Sequence, residues 1–341
     1  VLGFGKTAGI SFRRELDRDS GGVLYKDSRL LGTRWTLETE YFDLSDGLTY
    51  LLDARRPFYS LLTREAGGAG GLHFSQVTTL QIDGEDAPGF RQRHTEAQVH
   101  RGRALRAGYD RVGRIFWRLR VEDDSFEVDP GEPPLADPLQ CSVGGAGCAS
   151  LPVDRRHRII EAEYQSLEAD FVKAKFLDKF DRTQDVNLGG DWTVSLGISP
   201  RALGDTHNRV FFSGRFERWF RPSEASFSRV RASTKGRFLA GAGQNVITGI
   251  DLTRYYLGFP RQTVVLHLGQ NWAHDLDRDR QLILGAESGL RGYDNRRFDG
   301  NKSLLLNVED RVHLVFDGLR LLSIGVAGFA DAGYVWRAGA G

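Results

Sequence analysis

Apolar and polar residues alternate with a period of two along much of the chain. In 34–42, Trp35, Leu37, Thr39 and Tyr41 fall on one face, and Arg34, Thr36, Glu38 and Glu40 on the other. In 114–121, Ile115, Trp117, Leu119 and Val121 oppose Arg114, Arg118 and Arg120. In 304–314, Leu304, Leu306, Val308, Val312 and Leu314 oppose Asn307, Glu309, Arg311 and His313. Successive side chains of an extended backbone point to opposite faces, so this period predicts strands. Followed along the sequence, it predicts strands near 2–14, 33–43, 48–58, 71–81, 90–103, 110–126, 157–180, 190–199, 208–220, 229–241, 245–257, 263–275, 303–315 and 323–336. Short turns such as Ser45-Asp46-Gly47 separate some of them. The longest polar connections are 129–156 and 275–302.

The polar faces decide between two all-β classes. A soluble sandwich hides its apolar faces and needs only modest polarity outside. A transmembrane β-barrel reverses this, with lipid on the apolar face and a lumen that tolerates dense charge. Here Arg and Glu occupy successive positions of one face. Aromatic residues (Trp35, Tyr41, Phe58, Tyr59, Trp219, Phe220, Tyr255, Tyr256, Trp336) fall near strand ends, where interfacial girdles are expected. The fold class expected is an all-β, transmembrane antiparallel β-barrel. The two long connections are expected on the extracellular side. No linker divides the chain, so residues 1–341 read as one barrel domain.

Composition narrows the reading further. No apolar run approaches the ~18 residues of a membrane-spanning helix. Glycine supplies 41 of 341 residues, well above the average of about 7%. Phe, Tyr and Trp number 21, 10 and 6. A formal net charge of +1 gives no electrostatic case for a nucleic-acid partner. Methionine is absent and the first residue is Val1, so the sequence reads as a segment cut from a longer chain, with no visible signal peptide.

Conventional catalytic and metal motifs fail in detail. Gly285-Ala286-Glu287-Ser288-Gly289 has its serine one place off a nucleophile elbow. Gly67-Gly68-Ala69-Gly70-Gly71 is followed by Leu72 and His73, where a phosphate loop needs Lys and Ser or Thr. Asp275-Leu276-Asp277-Arg278-Asp279 begins like a calcium loop. Arg280 then stands where Gly is required and Ala286 where the bidentate Glu belongs, which leaves a solvated loop. Cys141 and Cys148 close a Gly-rich stretch and read as a local disulfide, with two free thiols as the alternative. Neither their spacing nor the nearest histidine, His157, suits zinc. No enzyme, cofactor or metal is expected.

One constellation stands out near the end of the sequence. It is Leu284-Gly285-Ala286-Glu287-Ser288-Gly289-Leu290-Arg291-Gly292-Tyr293, then Asn307-x-Glu309-x-Arg311, then Phe329-x-Asp331-x-Gly333. Asn307, Glu309 and Arg311 share one strand face, the polar and therefore lumenal one. Asp331 is the one acid on the strand that follows. If the loop folds inward, Arg291 reaches both acids, and its five donors can serve two carboxylates at once. Gly289 and Gly292 would let the backbone turn sharply against the wall. The alternative is an exposed turn arginine above two acids of a wet lumen.

These residues resemble the bacterial surface antigen family, the BamA/TamA-like outer-membrane barrels, whose superfamily includes the two-partner secretion transporters. Its members look like sixteen-stranded barrels whose sixth extracellular loop carries a [V/I/L]-R-G-[F/Y] tip in the lumen. Leu290, Arg291, Gly292 and Tyr293 match the tip, and Glu309 and Asp331 match acids on the two following strands. The resemblance implies that Arg291 pairs with Asp331, with Glu309 as second partner. Gly289, Asn307, Arg311, Phe329 and Gly333 support them. It also implies a protein of the bacterial outer membrane that inserts or translocates polypeptides, without cofactor. The partners implied are the lipid bilayer, a client outer-membrane or secreted polypeptide, and periplasmic domains or lipoproteins. The alternatives are a barrel serving as passive pore, a barrel anchoring a fused catalytic domain, and a soluble β protein with a binding role. The family has five strands after the tip where two are found here. About three more strands and the periplasmic POTRA domains are therefore expected outside this segment.

Overall fold

The computed structural model describes residues 5–15, 18–82, 84–129, 151–178, 182–318 and 322–336. Cys141 and Cys148, the expected disulfide, lie outside the described residues. Fifteen strands form one antiparallel sheet in which each pairs with its neighbours in sequence. They are β1 (Lys6–Arg14), β2 (Asp19–Asp27), β3 (Thr36–Leu44), β4 (Gly47–Arg56), β5 (Glu65–Thr78), β6 (Phe90–Arg106), β7 (Arg111–Val128) and β8 (Arg155–Glu168). The remainder are β9 (Gly190–Ser199), β10 (Arg209–Ser223), β11 (Ser226–Leu239), β12 (Ala242–Tyr256), β13 (Gln262–His274), β14 (Lys302–Gly318) and β15 (Leu322–Trp336). Among the described residues β15 is not paired back to β1.

The two faces differ as lipid and water differ. Trp117, Leu119 and Val121 on β7, Val194, Leu196 and Ile198 on β9, and Leu304, Leu306 and Val308 on β14 are all exposed. The opposite face carries paired charge: Arg118 bridges Glu161 and Glu163, and Arg120 bridges Glu122. A soluble protein would place those two faces the other way round. The arrangement is that of a wall with hydrocarbon outside and a polar lumen inside.

Three elements depart from the sequence pattern. β2 was not among the predicted strands, because Gly21 and Gly22 interrupt its alternation. β5 starts at Glu65, six residues before the predicted 71, because Gly67–Gly71 carries one methyl group in five residues and shows no period. The predicted strand 157–180 ends at Glu168. Beyond it, Phe171–Ala174 pairs with Gln184–Asn187 in a separate small hairpin. Alternation simply continues through the break, so periodicity alone could not reveal it.

Because neighbours in sequence pair throughout, successive connections alternate between the two ends of the wall. The strand ends that flank 129–154 and 275–301 lie at one end, here called the tip end, and those that flank 169–189 at the other. With β2 included, 275–301 is the seventh connection at its end among the described strands. The connection 169–189, which interrupts the predicted strand 157–180, lies at the opposite end, while the short turn at 45–46 lies at the tip end.

The aromatic girdle needs correcting too. Adjacent residues of a strand face opposite ways. Phe220 and Tyr256 are exposed at 42% and 41%, while Trp219 and Tyr255 are buried at 9% and 2%. The latter two stack on each other on the lumenal face, with ring centroids 5.7 Å apart.

Candidate functional site

Connection 275–301 folds into the lumen and is held at three places. Its base is fixed by two bidentate arginine–carboxylate pairs. Arg155 on β8 donates to both oxygens of Asp279 at 2.6 and 2.8 Å. Arg237 on β11 donates to both oxygens of Asp277 at 2.9 and 2.5 Å. The side chains of Asp277 and Asp279 are only 12% and 4% exposed. The acidic run read from sequence as a solvated loop is therefore a pair of anchors. Their partners lie 124 and 40 positions away, beyond the reach of any local pattern. Two residues beyond Asp279, the Gln281 amide exchanges two hydrogen bonds with the backbone of Gln81, in the connection between β5 and β6.

The third place is the tip. Leu282–Leu284 pairs with Phe298–Gly300, and a short 3-10 turn, Ala286–Ser288, follows Gly285. The Ser288 hydroxyl accepts from the Gly285 N–H at 2.7 Å, and the Leu290 N–H donates back to the Gly285 carbonyl. Gly289 and Gly292 sit at φ +111° and +90°, the left-handed region that an L side chain rarely adopts. A Cβ on Gly289 would also lie 2.6 Å from a Leu305 methyl.

This turn delivers two side chains to the wall. Leu290 is 1% exposed and fills a seat floored by Gly333. A Cβ at Gly333 would come within 2.7 Å of Leu284 and 3.1 Å of Leu290. Arg291 spans two strands. Its Nε and one terminal nitrogen donate to the two oxygens of Asp331 at 2.9 and 2.8 Å, and the other terminal nitrogen donates to Glu309 at 2.6 Å. The backbone N–H of Arg291 adds a further bond to Asp331 at 3.0 Å. The guanidinium lies 3.9 Å from the centroid of the Phe329 ring. Asn307 donates to the Gly289 carbonyl and to Asp331, both at 2.7 Å. Arg311 donates to the second oxygen of Glu309 at 2.6 Å.

Leu290, Arg291, Asn307, Glu309, Arg311, Phe329, Asp331 and Gly333 are thus brought together, while Tyr293 stands apart. It is half exposed and packs its ring on Phe298. Hydrogen bonding to Asp331, against the cost of desolvation, and then to Glu309 raises the pKa of Arg291 above its already high value. Its charge is permanent at any pH a cell reaches. Among the described residues no group of three or more His, Asp or Glu is placed to hold a metal ion. The geometry can immobilise a loop; it presents no nucleophile poised beside a base.

An antiparallel meander with an apolar outside, a charged lumen and an inward-folded loop defines the class: a β-barrel of the membrane-spanning type. The chain matches no protein-family model and no curated protein sequence. Among solved structures it is similar to BamA from Haemophilus ducreyi lacking POTRA domains 1-3, with TM-score 0.51 and 7% identity over 97% of this chain and 76% of that one. It is also similar to CdiB from Acinetobacter baumannii, with TM-score 0.49 and 9% identity over 96% of this chain and 59% of that one. At such identity the likeness to BamA establishes the fold, a BamA-like transmembrane barrel, and the fold alone.

Proposed function

We propose that this chain is the barrel of a BamA/TamA-type protein of the bacterial outer membrane that inserts or translocates polypeptides. It would work without cofactor or covalent chemistry, in contact with the bilayer, a client polypeptide and periplasmic domains or lipoproteins. The observation that carries this reading is the Arg291 lock, in which one arginine on a loop tip is held by acids on two adjacent strands within a BamA-like fold. A brace of this kind would suit a barrel whose wall opens for a client and then restores its shape. A seam in the wall would offer strand edges to the client by β-augmentation.

The test is depletion of the natural full-length protein in its host, with rescue by wild type or Arg291→Ala. Assembled outer-membrane proteins and secreted polypeptides are then quantified. Loss of one of these pools on depletion, with poor rescue by Arg291→Ala, is the expected result. Unchanged pools together with steady ion conductance in planar bilayers would overturn it in favour of a passive pore or an anchor for a fused domain.

A further inference from the structure

Among the described residues, a cluster of seven buried apolar side chains sits on the lumenal face at the end opposite the tip. Trp219 on β10, Phe227 on β11, Tyr255 on β12 and Val265 on β13 form its wall side. Its other half comes from connection 169–189: Ala174, Leu177 and Val186 are all buried against that wall, Leu177 at 1% exposure. The connection is rooted between β8 and β9, yet it docks on β10 to β14. It must therefore lie across the inside of the barrel mouth.

Polar contacts fix it there as firmly as the apolar ones. The Tyr255 hydroxyl donates to Asp178 at 2.5 Å, and Arg229 lies 3.6 Å from the same carboxylate. Thr263 donates to the Phe176 carbonyl at 3.2 Å, and Arg311 donates to the Leu177 carbonyl at 2.6 Å. The Phe176 ring rests on His313, with centroids 4.7 Å apart, and its backbone takes a left-handed φ of +61°. A bulky side chain holds that conformation only when its surroundings impose it. At the root, the Asn187 side chain ties down the Glu168 carbonyl and the Asp170 and Gly189 N–H groups.

We propose that the hairpin Phe171–Ala174 and Gln184–Asn187, with Phe176–Asp178 beyond it, is a built-in stopper for this mouth of the barrel. Four large apolar side chains on the lumenal face make physical sense only when covered, because open to water they would interrupt a hydrated wall. The stopper is also linked to the tip lock. Arg311 holds the Leu177 carbonyl and one oxygen of Glu309, and Arg291 holds the other oxygen. Closure at one end therefore stabilises closure at the other, and the barrel conducts when the stopper leaves its seat.

This inference rests on the barrel and not on client handling, so the two fail separately. The experiment is ion conductance of the natural full-length protein in planar bilayers, comparing wild type with Leu177→Asp and Arg311→Gln. Folding of each is checked by heat-modifiable migration in detergent gels. The Asp variant places a charge in a dry seat and should raise time-averaged conductance on the order of tenfold or more. Arg311→Gln, which leaves the apolar seat intact, should raise conductance less and also speed tryptic cleavage after Arg296 and Arg297 in the tip loop. Should Leu177→Asp fail to fold, Arg311→Gln alone decides. Folded variants as closed as wild type, or a wild type already as open as its variants, would overturn the stopper. Unchanged tip cleavage in Arg311→Gln would overturn the link.

Discussion

Replacing Arg291 by alanine is the most direct perturbation of the tip. The change deletes three side-chain hydrogen bonds, two to Asp331 and one to Glu309. The side chain of Asp331 is only 2% exposed. It would keep Asn307 and the residue 291 backbone N–H as partners but lose its counter-charge. Removing one member of a fully buried pair costs about 3–5 kcal/mol. Arg291 is itself 34% exposed, so water screens part of the interaction, and about 2 kcal/mol is the appropriate figure. That is roughly a 30-fold rise in the open population of the loop. Limited trypsin digestion reads it through cleavage after Arg296 and Arg297, whose rate follows the open population while reclosing is fast. Arg291→Lys keeps the charge but lacks the planar fork, so it should fall between wild type and Ala. Equal cleavage rates in all three proteins would refute the reasoning.

Leu290→Ala empties the seat beside Gly333 without touching a charge. It should loosen the tip by about 2–3 kcal/mol, seen in the same digestion. Gly333→Val overfills that seat, where a Cβ already meets Leu284 and Leu290, and should cost about 1–3 kcal/mol. Gly328→Val on the same strand meets nothing within 4 Å and should leave cleavage at the wild-type rate.

Much of this architecture is legible from side-chain periodicity, because lipid and water sort alternate residues along each strand. The stretches 114–121 and 304–314 fall inside β7 and β14 for that reason. Legibility stops where glycine removes the side chains that carry the period, as in β2 and the start of β5. It stops again where alternation runs on past the end of a sheet strand, as at Glu168. Arg291, Glu309 and Asp331 could be picked out because each is a charge beside glycines or on a defined strand face. Asp277 and Asp279 looked like loop acids, since nothing near them in sequence announces Arg237 or Arg155. Trp219 and Tyr255 looked interfacial beside Phe220 and Tyr256. A strict count of two along the strand separates the members of each pair, and the inward aromatics then ask for a lumenal partner. That partner, Leu177, could not be named from the sequence.

The lock also has a consequence for how β15 lies on β14. Asn307 stands directly opposite Asp331, and Asp331 and Glu309 must both present themselves to one guanidinium. Sliding β15 by one residue would turn Asp331 out towards hydrocarbon. Sliding it by two would keep it inside but carry it about 7 Å along the wall, too far for Arg291 to hold it and Glu309 together. Apart from Gly333 under Leu290, the small residues of β15, Ala327, Gly328, Ala330 and Ala332, do little by their shape to forbid such slips. A single arginine arriving from a loop therefore acts as an index pin, selecting by charge the one alignment of two strands that their own side chains leave poorly marked.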